Sequence, residues 1–131
     1  MKHKKKILIA EDNDDVRKIM KILFEKHGYD VVEAAESEVV IPAVLNHRPN
    51  ILILDVMLPG EKEDGFSLCA KLKEKYSWLR MPILIVSAIA TGTKYTESEM
   101  RIKTGADDFI NKPFDNENLL KRVEKLLYIN R

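Results

Sequence analysis

One cysteine, Cys69, is all the thiol this 131-residue chain carries. An internal disulfide is therefore excluded, and the framework class of small secreted domains goes with it. Zinc chemistry is also without donors, since His3, His27 and His47 fall at no ligand spacing and no second cysteine joins them. Long apolar runs are missing. None approaches the ~20 residues of a bilayer span, and "ILIA" is too short for the apolar core of a signal peptide. The expectation is a cytoplasmic protein with no membrane partner. Charge of one sign is missing too. Lys and Arg number 22 against 21 Asp and Glu, a net of +1, so no global field recruits nucleic acid. The one basic run, "KHKKK" at 2–6, reads as a solvated lead-in to the first strand, and no direct nucleic-acid binding is expected. No linker, repeat or low-complexity tract divides the sequence. Residues 1–131 are expected to form a single domain, with 1–5 as its basic lead-in and no effector domain present.

What is there alternates. "KILIAE" (6–11) reads as a buried strand. Val16, Ile19, Met20 and Leu23 then fall at i, i+3, i+4 and i+7, one face of a helix. Asp14 and Asp15 suit its start and Gly28 its stop. "DVVEA" (30–34), "NILILD" (50–55), "MPILIVS" (81–87) and "DDFIN" (107–111) supply four more strands. The third is aliphatic throughout, as in a parallel sheet covered on both faces. Phe66, Cys69, Leu72 and Tyr76 mark a helix, with Cys69 as a buried small hydrophobe rather than a nucleophile. Leu119, Leu120, Val123, Leu126 and Leu127 mark the last helix, opened by Asp115. Two segments fit less cleanly. A helix is expected over 37–46, yet Pro42 sits inside it at a cost of about 3 kcal/mol unless the helix starts late or kinks. Residues 96–104 should be the fourth helix, with a weak stripe of Met100 and Ile102. Five strand–helix alternations predict a doubly wound α/β fold. Its ligands belong beyond the C-terminal strand ends, where strand order reverses.

Those strand ends are polar. Strand one ends in Glu11 and Asp12, strand three in Asp55, strand four in Ser87, and Lys112 follows strand five. In a parallel sheet all five groups meet at one rim. Crowded carboxylates raise each other's pKa unless positive charge intervenes. Lys112 supplies one such charge and a divalent cation would supply more. An all-oxygen donor set suits Mg2+, with Mn2+ as a substitute. A single acid at a strand end is more often a cap or turn former; the accompanying hydroxyl and ammonium favour a site.

The acidic pair in "IAEDN", the strand "ILILDVMLP", the strand "ILIVSA" and the segment "GADDFINKPF" occur in that order from Lys6 to Leu127. Together they resemble the receiver domain of two-component response regulators. The resemblance implies a flavodoxin-like five-stranded parallel sheet in the order 2-1-3-4-5. It implies that Asp55 is phosphorylated by a histidine kinase or phosphotransfer protein. It makes Asp12 a direct metal ligand, Glu11 its helper, and Met57 a ligand through its backbone carbonyl. Ser87 would bond a phosphoryl oxygen and Lys112 would pair with the phosphoryl group. Pro113 would follow a cis peptide bond, and Phe109 would be the switch aromatic. The output face would be the fourth helix, fifth strand and last helix, meeting an effector domain, a target protein or a second copy. Such a domain is a phosphoacceptor rather than an enzyme, with at most slow self-phosphorylation and self-dephosphorylation.

Departures exist. "PGEKEDG" puts five residues between Pro59 and Gly65 where the family usually has three, and the loop after Ser87 is also long. Phe109 lacks the hydroxyl of the commoner tyrosine. Two rivals remain. A metal-dependent phosphatase with a nucleophilic aspartate needs an acid two residues on, where this chain has Met57. A receiver-like interaction module that is never phosphorylated has no need of the complete set.

Overall fold

The computed structural model describes residues 4–56, 65–87, 102 and 104–129. Five strands lie in one sheet: β1 (Lys6–Ala10), β2 (Asp30–Ala34), β3 (Ile51–Leu54), β4 (Ile83–Ser87) and β5 (Asp108–Asn111). Every pairing is parallel and the order is β2-β1-β3-β4-β5. Alternate residues of a strand point to opposite faces, and the core divides accordingly. Leu8, Leu52, Leu54, Ile83 and Ile85 pack with Val40 and Val44 of α2 (Ser37–His47) and with Leu68, Cys69 and Leu72 of α3 (Gly65–Lys75). Ile7, Ile9, Ile51, Ile53, Leu84 and Val86 pack with Met20 and Phe24 of α1 (Asp14–Lys26) and with Leu119 and Val123 of the C-terminal helix (Asn116–Ile129). The aliphatic strands are continuous because both faces are covered. The sheet has the flavodoxin-like parallel order 2-1-3-4-5 expected from the sequence.

The helix ends follow local chemistry. Asn13 caps α1 through its side-chain oxygen, which accepts the Val16 N–H at 3.0 Å. Asp115 does the same for the C-terminal helix, accepting the Glu117 N–H at 3.1 Å. Gly28 follows α1 at φ +89°, a left-handed turn that glycine adopts without strain. The predicted stripe of α1 is partly wrong. Ile19 is 49% exposed, and Phe24 is fully buried in its place. The buried face is narrower and turned toward Met20 and Phe24, because α1 packs beside the C-terminal helix as well as on the sheet. Cys69 is buried, and burial pushes its thiol up to about 11, so it packs as a hydrophobe. No helix among the described residues is long and apolar enough to cross a membrane.

Pro42 neither delays nor ends α2, which runs unbroken from Ser37 to His47. Its ring is exposed. The helical bond it cannot make would go to Glu38, an exposed residue of the first turn, where the loss is smaller than in a core. Of the helix expected over 96–104, Ile102 and Thr104 are described, and both are helical. The rest of it lies outside the described residues, as do Met57 and the two long loops (57–64 and 88–100). Pro42→Ala restores a helical N–H at an exposed position. It is expected to raise the unfolding free energy, measured by urea titration, by about 1–3 kcal/mol. No gain would show that α2 depends on the proline.

Candidate functional site

The sheet delivers its functional groups by register. Ala10 pairs with Leu54, and Ser87 with Asn111. The next residues, Glu11, Asp55 and Lys112, therefore leave the rim side by side, next to Ser87. Backbone bonds hold them there. The Asp55 N–H donates to Ala10 O at 2.9 Å, the Glu11 N–H to Ala34 O at 3.0 Å, and the Lys112 N–H to Ser87 O at 3.0 Å. The site lies beyond the ends of β1 and β3, where the strand order reverses.

The side chains then converge. Lys112 Nζ donates to Asp55 Oδ2 at 3.0 Å and also to Glu11 Oε1. Ser87 Oγ donates to the other oxygen of Asp55, Oδ1, at 3.0 Å. Glu11 Oε2 accepts the Asn13 N–H at 3.0 Å. Glu11, Asp55 and Ser87 are buried, whereas Asp12 is exposed at the mouth. One oxygen from each of Glu11, Asp12 and Asp55 lies within 4.8 Å of the others. Every sequence-predicted site residue that is described, Phe109 aside, sits at this rim. Phe109, three residues before Lys112, is packed in the core with Leu72 and Ile85. The Lys112–Pro113 peptide bond is cis.

The electrostatics follow from burial. Desolvation raises the Glu11 carboxyl above its usual value; the bonds from Lys112 and the Asn13 N–H offset part of this, and the charge of Asp55 adds to the rise. Burial pulls the Lys112 ammonium down, but its bonds to Glu11 and Asp55 outweigh that and hold it above its ordinary value. Three carboxylates face one ammonium, so two negative charges are in excess when all are ionised. Asp12 has no side-chain hydrogen-bond partner among the described residues. An all-oxygen set with excess negative charge and one open carboxylate fits a hard divalent cation, Mg2+ before any softer metal.

Arg17 escaped the sequence reading. Its Nη1 donates to the backbone oxygen of Glu11 at 2.7 Å, its Nη2 to Asp14 at 2.6 Å and its Nε to Glu33 at 3.1 Å. It thereby clamps the turn that carries Glu11 and Asp12. Its position three residues after Asp14 on a helix was the available signal. Gly65 is the other unrecognised support. A Cβ there would meet the Val56 carbonyl carbon at 2.7 Å, so only glycine lets α3 start against the residue after Asp55.

Residues 7–124 match the family model of the response regulator receiver domain. The chain belongs to that family. A Cyanophora paradoxa protein named as a probable transcriptional regulator, ycf27, is 34% identical over 126 residues. The match covers 95% of this chain and 49% of that protein, so the chain spans about half the length of this curated relative. Among solved structures, a protein of Chloroflexus aurantiacus described as a response regulator superposes with a TM-score of 0.84 at 30% identity, covering 96% of this chain and 99% of that one. The BeF3-activated N-terminal receiver domain of Klebsiella pneumoniae RstA gives 0.82 at 27% identity, covering 94% and 98%. As a receiver domain of the two-component response regulator family, the chain is a signalling module with an acidic pocket at its rim.

The raised Glu11 carboxyl has a pH consequence. Between its ordinary value of 4.5 and its higher folded value, the folded receiver keeps a proton that the unfolded chain has released. Stability therefore falls as pH rises through that window. Glu11→Gln is expected to flatten this part of the curve, read from urea midpoints upward from pH 4.5. Parallel curves for the two proteins would contradict the cause given for the shift.

Proposed function

We propose that Asp55 of this receiver accepts a phosphoryl group from a phosphohistidine on a histidine kinase or phosphotransfer protein. The observation that carries the reading is the convergence on Asp55, with Lys112 on one carboxylate oxygen and Ser87 on the other. A carboxylate is a weak nucleophile, but phosphoryl transfer depends chiefly on positioning and charge stabilisation. An Asp55 oxygen attacks phosphorus, the P–N bond breaks, and its electron pair stays on the donor imidazole. Lys112 is placed to pair with the charge gathering on the phosphoryl oxygens. The Ser87 hydroxyl turns its hydrogen from Asp55 Oδ1 to a phosphoryl oxygen. Ser87 already touches Asp55, at 3.0 Å, so the turn is a short one.

Glu11, Asp12 and Asp55, with the Met57 backbone carbonyl, would hold Mg2+ or Mn2+. The ion supplies Lewis-acid neutralisation of phosphoryl charge. The new phosphoryl group adds about −1.5 to −2 charge at the rim. Ser87 ends β4 and bonds the Lys112 backbone, so its movement reaches both β4 and β5. Phe109 responds from within the core on the same strand. The altered surface is the fourth helix, β5 and the C-terminal helix, which would meet an effector domain, a target protein or a second copy of the chain. The domain acts as a switch in the cytoplasm rather than as a turnover catalyst.

The test is intact mass with peptide mapping after incubation with Mg2+ and acetyl phosphate. Wild type is expected to gain one phosphoryl group, mapped to Asp55 and labile to hydroxylamine. Asp55→Asn is expected to gain none. An adduct of equal yield in that variant would contradict the assignment.

A further inference from the structure

The other end of the sheet carries a second polar cavity. Arg48, Pro49 and Asn50 immediately precede β3, and Arg80 and Met81 lie just before β4, so all face the N-terminal rim, away from Asp55. With Trp78 they line a cleft of about 290 Å³. That is near the lower end of the roughly 300–1,000 Å³ of small-molecule sites.

Its charges have no acid beside them among the described residues, although Arg48 Nε donates to the Leu45 carbonyl at 3.2 Å. Four arginines are described. Arg17 and Arg122 are bound to carboxylates. Arg48 and Arg80 have no ion-pair partner among the described residues, and both line this cleft. Both also stand at positive φ, 49° and 52°, where glycine or asparagine is the unstrained choice. The backbone gives no reason for arginine at either place. Trp78, the one tryptophan of the chain, is 60% exposed, with the Arg48 guanidinium 5.1 Å from its ring centroid. The oxygen of the Asn50 side chain is already taken by the Lys6 N–H at 2.7 Å, leaving its amide nitrogen as a donor.

We propose that this cleft binds a small aromatic phosphate monoester, a flat ring bearing a phosphate, of the size of a nucleoside monophosphate. Two guanidiniums match the two charges of the phosphate and offer it bidentate bonds. Trp78 offers a face on which the ring stacks, and Arg48 bridges the two subsites. The site is independent of the phosphoacceptor reading, since it shares no residue with the acidic rim.

The indole N–H resonance of Trp78 in nitrogen-labelled protein reports the test directly. Adenosine monophosphate, adenosine and inorganic phosphate are titrated separately. Adenosine monophosphate is expected to shift the signal saturably and to bind at least tenfold more tightly than either half. Arg48→Gly and Arg80→Gly are each expected to weaken it tenfold or more. Glycine suits both positive φ values, so Tm should hold or rise in Arg80→Gly, which keeps the comparison valid if Arg48→Gly folds poorly. The proposal is overturned if adenosine monophosphate gives no saturable shift, if either half binds as tightly, or if Arg80→Gly binds as wild type does.

Discussion

Lys112 holds two buried carboxylates that would otherwise repel each other across the end of a parallel sheet. Its Nζ reaches Glu11 and Asp55 at once, and its backbone N–H bonds Ser87, whose hydroxyl returns to Asp55. The result is a closed ring of contacts joining the ends of β1, β3, β4 and β5. Buried charge is costly when unmatched, and a matched pair is only marginally favourable against an apolar substitute. Such an arrangement is poor evidence for stability and good evidence for use. Everything else in the fold serves it. The aliphatic strands set register to the residue, and the helices on both faces seal the strands from water, so the polar groups emerge at one rim.

The same arrangement would let the phosphorylation proposed for Asp55 act as a switch. Asp55 is bonded at both oxygens and sits beside excess negative charge, so a new group there must redistribute several contacts together. Ser87 and Lys112 are coupled through one backbone bond. A change felt by either is felt by both strands that lead to the far side of the domain.

Much of this was legible in the sequence, for a physical reason. Strands buried on both faces must be aliphatic end to end, so the first polar residue after each marks the rim. Glu11, Asp55 and Ser87 were found that way, whereas Lys112 follows a shorter strand with polar ends, Asp108 and Asn111, and was placed at the rim by the parallel order of the sheet. Residues whose role depends on tertiary neighbours were harder. Ile19 fits the helical stripe of α1 by spacing alone, yet Phe24 takes the buried place because the C-terminal helix packs alongside. Arg17 looks like any surface arginine until the β1–α1 turn brings Glu11 O within reach. Pro42 looked like a helix breaker because its exposure was hidden. The two arginines at the opposite rim carry no sequence signal, since neither the lack of an acidic neighbour nor the Arg48–Trp78 contact can be read from the order of residues.

Placement of the cation tests the central claim most directly. Mn2+ added in sub-stoichiometric amounts broadens nearby amide resonances. Broadening is expected first at Glu11, Asp12, Asp55, Ser87 and Lys112, with recovery on adding excess Mg2+. Broadening centred on another part of the molecule, or spread evenly over its acidic surface, would contradict an acidic rim organised around Lys112.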